Sequence, residues 1–237
     1  MCARYTLRVS AQSLGDLFQV DGVPELEPRY NIAPTQDVPV ILENKEGLRE
    51  FHMMRWGLVP MWAKDLSIGN KMLNAKSETV FEKPAFKGAA VKRRCLIPAD
   101  GFYEWNDEPV HAASLFDDAP GPTAKTRKQP YHFTLADGRP FAFGGLYERW
   151  TSPEGATIET CTILTCAPNE LVAQLHDRMP VIIPPGEYAS WMSRELTQAP
   201  AIATLMATFP AEGMRMARAN PKVGNPRNES ADMLDPA

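Results

Sequence analysis

The stretch Cys95-Leu96-Ile97-Pro98-Ala99-Asp100-Gly101-Phe102-Tyr103-Glu104-Trp105 holds an apolar run, an Asp-Gly step and a second run rich in aromatics. That pattern predicts a strand, a tight turn and a second strand, so β pairing underlies the fold. Glu104 stands between Tyr103 and Trp105. Successive strand side chains point to opposite faces, which leaves two readings of equal standing. In one, Glu104 lies in an apolar cleft, where its pKa rises and it can act as a general acid near neutral pH. In the other it faces solvent while its aromatic neighbours face the core.

Toward the amino terminus, Lys83, Lys87, Lys92, Arg93 and Arg94 form the densest basic cluster, with no acid between Glu82 and Asp100. Such runs are mostly solvated faces. Residues 77–87 predict a short helix with Val80, Phe81 and Phe86 inward. Asn74 follows the apolar pair Met72-Leu73. Its amide suits holding a sugar hydroxyl or a carbonyl, or else capping a turn. In Arg55-Trp56-Gly57-Leu58-Val59-Pro60-Met61-Trp62, two tryptophans flank a glycine and a proline just after a strand. Exposed there, such rings stack on bases at about 1–3 kcal/mol each; inside, they are core. Residues 38–42 and 48–54 read as strands joined by a polar turn. Residues 29–35, Arg-Tyr-Asn-Ile-Ala-Pro-Thr, make a rigid polar loop, either a binding wall or a surface connection. Residues 10–19 read as an amphipathic helix behind a serine cap, after a short strand over 5–9.

Cys2 follows the initiator methionine. Methionine is generally trimmed before a small residue, which leaves Cys2 with a free α-amine beside its thiol. These titrate near ~8 and ~8.5, so a fraction of each is nucleophilic at neutral pH. Together they capture an aldehyde, first as a Schiff base and then as a five-membered thiazolidine. The plain alternative is a small apolar residue that happens to stand second.

Beyond Trp105, residues 106–130 turn acidic and rich in alanine and proline, and read as a surface insertion without chemistry. Strands resume over 131–135 and 141–150 around the hairpin signal Ala136-Asp137-Gly138, then over 158–165. A helix is expected from Pro168 to His176. In His176-Asp177-Arg178-Met179-Pro180 it ends on an imidazole, the side chain best suited to moving protons near pH 7. His52, His111 and His132 have weaker surroundings. Helices are expected over 185–191 and 200–208, and a polar, extended tail over 220–237.

The 237 residues carry a net charge of −4, with 44% hydrophobic and 23% charged residues. A chain of this balance has no general attraction for phosphate backbones, so a nucleic-acid site must be a local patch. No apolar run nears the ~18 residues of a membrane span, and no signal core follows Arg4 and Arg8. A cytoplasmic protein is expected, nucleoid-associated when bound to DNA. Cys95, Cys161 and Cys166 form no Cys-x-x-Cys pair, so reduced thiols and neither metal nor cofactor are expected.

Taken in order, seven motifs resemble those of the SOS-response-associated peptidase (SRAP) family, whose members crosslink to abasic sites in DNA. They are Met1-Cys2 with Arg4, Arg29-Tyr30-Asn31-Ile32-Ala33-Pro34, Trp56-Gly57-Leu58-Val59-Pro60, Asn74-Ala75 with Glu78-Thr79, Gly101-Phe102-Tyr103-Glu104-Trp105, His176-Asp177-Arg178-Met179-Pro180 and Val223-Gly224-Asn225. The resemblance implies an α+β fold in one domain over 1–237, with a curved, largely antiparallel, barrel-like sheet flanked by helices. It implies that Cys2 attacks C1′ of the ring-opened deoxyribose, that Glu104 assists ring opening and proton transfer, that His176 shuttles protons and that Asn74 positions the cysteine or the sugar. It places Arg4, Lys76 and residues 29–35, Asn31 and Pro34 among them, at the DNA backbone. Trp56 and Trp62 would shape a base-stacking surface, with Thr165 as a further contact. The partner implied is single-stranded DNA with abasic sites, bound by a monomer with lyase and self-release activity.

Two departures stand out. Lysine at 76 replaces the family's usual arginine and its bidentate fork, and Ala63 stands where some members carry a second aromatic. Two rivals remain: a peptidase with an N-terminal cysteine nucleophile, His176 as base and Glu104 as orienter, and a non-covalent single-strand DNA-binding module, which the negative charge disfavours.

Overall fold

The computed structural model describes residues 2–109 and 126–236. Its strands are β1 Tyr5–Leu7, β2 Arg29–Ile32, β3 Asp37–Glu43, β4 Arg49–Trp56, β5 Asn74–Lys76, β6 Arg94–Ala99 and β7 Gly101–Pro109. After these come β8 Thr126–Leu135, β9 Phe141–Thr151, β10 Thr157–Cys166, β11 Met179–Pro180, β12 Ile182–Ile183 and β13 Met214–Arg218. The helices are short: α1 Ala11–Phe18, α2 Lys87–Lys92, α3 Tyr188–Met192 and α4 Ala199–Thr204. None among the described residues is long and apolar enough to cross a membrane.

Five strands close on themselves in the order β3-β4-β10-β9-β6 and back to β3. The seam is the parallel pairing of β4 with β10, where Arg55 meets Thr160 and Trp56 meets Cys161. Closure leaves no exposed edge around this ring, which is what a barrel achieves for strands this apolar. A second, wholly antiparallel sheet runs β13-β8-β7-β1-β2. Both sheets feed one core, with Tyr5 of β1 in edge-on contact with Trp56 and Phe143. The α+β reading with a curved, barrel-like sheet therefore holds.

The two strands around Asp100-Gly101 form as expected but do not pair with each other. β6 runs in the barrel and β7 in the second sheet, so the Asp-Gly step is a corner between them. Buried Asp100 fixes the corner: it accepts from the Thr6 hydroxyl, and its Oδ2 accepts from the Arg8 backbone N–H at 2.7 Å and Nε at 2.9 Å. Gly101 is required here for space, because a Cβ would stand 2.1 Å from His132 Nε2 and 2.8 Å from the Phe133 carbonyl oxygen. Gly101→Ala is accordingly expected to cost about 3 kcal/mol and to lower the midpoint of thermal unfolding by roughly 6–12 °C in a calorimetric scan.

Several local expectations are corrected. The turn at 136–138 forms, with Gly138 at φ +72°, yet β8 pairs with β7 and β13 while β9 pairs with β6, β10 and β12. Turn chemistry sets the reversal of direction; which strand lies alongside is set by the faces being buried. Residues 77–86 give one 3-10 turn, Ser77–Thr79, and no α-helix, which begins only with α2 at Lys87. Pro84 explains this, lacking an N–H and pushing the residue before it out of helical geometry. The helix expected at 168–176 is one 3-10 turn, Val172–Gln174, capped by Asn169 Oδ1, which accepts from Leu171 and Val172 N–H. Cys166 pairs with Met179, so the chain between them must double back within a dozen residues and has no length for a longer helix.

Within 106–130, residues 106–109 and 126–130 belong to the β7–β8 pairing, whose last pair is Pro109 with Thr126; residues 110–125, with His111, lie outside the described residues. The tail is not extended. It forms 3-10 turns at Pro221–Gly224 and Ala231–Leu234, and Val223 and Met233 pack with Tyr103 and Ala219 in a small second core. The basic cluster is not one solvated face either. Arg94 is buried and donates to the carbonyls of Ala90, Val91, Trp191, Ser193 and Leu196, while Arg93 pairs with Glu148 at 2.5 Å.

Candidate active site around Cys2

The second sheet carries the amino terminus into the site. Tyr5 pairs with Phe102, and the Tyr103 N–H donates to the Arg4 carbonyl at 3.0 Å. Running outward along that antiparallel ladder brings Cys2 toward Glu104. From the other side, Asn74 Nδ2 donates to the Cys2 carbonyl at 2.9 Å. Asn74 opens β5, which lies parallel to β10, Asn74 beside Ile163 and Lys76 beside Thr165. The loop that leaves the end of β10 carries His176 and returns at β11. Residues 2, 74, 104 and 176 thus meet where the second sheet abuts the barrel seam.

Cys2 is fully buried, its Sγ 3.8 Å from the Arg4 carbonyl. Burial, and then the Glu104 carboxylate, hold its thiol well above the usual range. Glu104 is 3% exposed, which decides between its two readings in favour of the cleft. Alternation is defeated because β7 is covered on both faces, Phe102 stacking on Phe133 on one side and Tyr103 lying under the tail on the other. Burial pushes the Glu104 carboxyl up to about 7; the amino-terminal positive charge opposes the rise and Asp177 adds to it. His176 is partly buried. Its Nδ1 accepts from the Arg178 backbone N–H at 2.9 Å and stands 3.0 Å from Asp177 Oδ1. Burial lowers its pKa, as does the amino-terminal charge. Among the described residues, Asn74 Oδ1 is a buried acceptor with no hydrogen-bond partner.

The outer residues divide. Lys76 is exposed two positions after Asn74. Trp62 is 60% exposed beside the exposed Met61, and its turn is pinned by Trp150 Nε1, which donates to the Ala63 carbonyl at 2.8 Å. Half-buried Arg4 donates to Asn31 Oδ1 at 2.9 Å and to the Val223 carbonyl at 2.6 Å, all neutral acceptors that leave its charge uncancelled. Pro34 is half-buried and leads into Thr35, a β-branched residue held at φ +71° by the Thr35 N–H to Trp56 carbonyl bond.

Burial argues against three of the expected DNA contacts. Trp56 is wholly buried, Nε1 donating to the Leu73 carbonyl at 2.8 Å, so neither of its faces meets a base. Thr165 is buried beside Lys76, and its carbonyl accepts from Arg178. Buried Asn31 ties down the tail, its Nδ2 donating to the carbonyls of Val223, Asn225 and Asn228. Asn31→Ala is expected to cost about 2–4 kcal/mol, since these carbonyls and the Arg4 fork lose their partner. Limited proteolysis should then cut residues 220–236 first.

Sequence reasoning assigned nothing to Asp177, or to the Arg178–Glu78 pair, which is bidentate at 2.7 Å and 2.7 Å and braces the His176 loop against the residues after β5. Their place in the quoted motifs was the available signal. Among the described residues no group of three or more His, Cys, Asp or Glu is placed to hold a metal.

Residues 1–226 match the family model described as SOS response associated peptidase (SRAP). The chain is 39% identical over 238 residues to abasic site processing protein YoaM of Bacillus subtilis (strain 168), covering 99% of this chain and 98% of that protein. It is 29% identical over 227 residues to abasic site processing protein HMCES of Xenopus tropicalis, covering 88% of this chain and 66% of that one. A crystal structure of a protein from Bacteroides thetaiotaomicron superposes with a TM-score of 0.83 over all of both chains, at 25% identity.

Proposed function

The chain belongs to the SOS response associated peptidase (SRAP) family, and from that membership and the site around Cys2 we propose that it captures abasic sites in single-stranded DNA as a covalent thiazolidine adduct. The observation that carries this reading is a second-position cysteine gripped by Asn74 beside a buried carboxyl whose pKa is about 7.

The chemistry follows from the protonation states. With methionine removed, the Cys2 α-amine attacks C1′ of the ring-opened deoxyribose. Glu104, close to half protonated at pH 7, gives its proton to the departing hydroxyl, and water leaves to form the Schiff base. The neutral Cys2 thiol then adds to C1′ and loses its proton to the Glu104 carboxylate left by the first step, closing the ring, while His176 shuttles protons between the site and solvent. The net change is addition of the two molecules less one water. Running the last steps backward releases the protein, and elimination from the Schiff base accounts for lyase activity. Lys76 and Arg4 supply local positive charge on a chain that is negative overall, and Trp62 supplies a stacking face. Burial that keeps the Cys2 thiol protonated disfavours the rival peptidase, whose nucleophile would be a thiolate.

The test is incubation with single-stranded DNA bearing one abasic site, followed by denaturing electrophoresis and intact-mass analysis. A denaturant-stable adduct at the summed mass less one water is expected. Peptide hydrolysis with no DNA adduct would overturn the proposal.

A further inference from the structure

We propose that Asp177 is a positioning residue for His176, supplying the hydrogen-bond partner that the imidazole needs once protonated. The proposal deepens the functional reading above and rests on it for its kinetic arm only.

His176 Nδ1 faces two groups that cannot both use it at once. The Arg178 backbone N–H, at 2.9 Å, needs a bare Nδ1. Asp177 Oδ1, at 3.0 Å, needs an Nδ1–H. In the neutral ring the first partner wins, and the proton rides on Nε2. When a proton arrives at Nδ1, the ring turns to its second partner and donates to the Asp177 carboxylate. Loss of the Nε2 proton from the opposite edge then completes a relay in which one proton enters and one leaves. With Asp177 88% exposed on its side chain, that entry point opens to solvent. Asp177 is not claimed by the neighbouring guanidinium, because Arg178 is engaged by both oxygens of Glu78.

The charges facing His176 are the amino terminus and Arg178, which disfavour its protonation, and Asp177, which favours it. Glu104 faces the amino terminus and the same Asp177. One exposed carboxylate thus adds to the proton affinity of both candidate acid–base groups, against a larger effect of burial.

The test uses the full chain with Asp177→Asn and Asp177→Glu. An NMR titration of the His176 ring should show its pKa fall by about half to one unit in Asp177→Asn, equivalent to a 3–10-fold loss of imidazolium at a given pH, and recover in Asp177→Glu. At saturating abasic oligonucleotide, the Asp177→Asn crosslinking profile should move to lower pH, with a rate about 3–10-fold lower at pH 7–8. Removing a negative charge beside DNA would by itself tighten binding. An unchanged His176 titration, or faster crosslinking by Asp177→Asn at every pH, would overturn the proposal. If the wild type formed no adduct at all, the functional reading would fail while the titration still decided the role of Asp177.

Discussion

Cys2→Ala should abolish the stable adduct with abasic DNA, lowering it below detection on a denaturing gel, whereas Cys95→Ala should retain it. The alanine chain keeps a free α-amine, because methionine is trimmed before alanine as well. It can still form a Schiff base, so borohydride should trap a residual adduct and strand cleavage should persist. What is lost is the sulfur that closes the ring, and with it the resistance to hydrolysis. Cys95 is equally buried, in β6, but it sits in the middle of a chain and has no amine of its own. Its replacement costs only the packing of one small side chain. An extension ahead of Cys2 should remove both the stable and the trapped adduct. A variant with a blocked terminus that crosslinks at full rate would show that the α-amine is not the attacking group.

Glu104→Gln should slow adduct formation by about 10²–10³-fold and flatten its pH dependence around neutrality. The same change should stabilise the fold at alkaline pH. The folded-state pKa of about 7 lies above the ordinary 4.5, so the native state holds its proton longer than the unfolded chain does. Stability then falls as pH rises from 4.5 through 7 and is flat above, a loss of about 3 kcal/mol at 1.36 kcal/mol per unit. The amide removes that loss. Unfolding followed at pH 8 should show Glu104→Gln more stable by up to about 3 kcal/mol, while at pH 4 the two chains should coincide. A variant equally stable at both pH values would mean that Glu104 titrates normally and is not the acid.

Much of the fold was legible because strand signals are local. The strands on either side of Asp100 and the hairpin of β3 and β4 follow from apolar runs and turn residues. The serine cap of α1 was legible too, Ser10 accepting from the Ser13 N–H. Helices over 77–87 and 168–176 were misread, since Pro84 and the return of the chain to β11 outweigh helical spacing. The residues of the site were legible as motifs, but their division into surface and interior was not. Trp56 and Trp62 lie six positions apart in one motif, and only Trp62 reaches solvent.

The sequence by itself nominated the reactive group: a cysteine directly after methionine, where trimming would leave an amine and a thiol on one residue. It also determined the strands, because a strand is written in alternation and turn chemistry. The tertiary structure alone decided which strands lie side by side, and so that the chain passes between sheets at Asp100-Gly101, where a tight turn was signalled, and at Asp137-Gly138, where a hairpin was. It alone decided the proton affinity of Glu104, because a carboxyl's pKa depends on how much water is excluded from around it. That exclusion comes from segments brought in by the fold, the residues around Cys2 and strand β8 among them, and nothing local to Tyr103-Glu104-Trp105 records it.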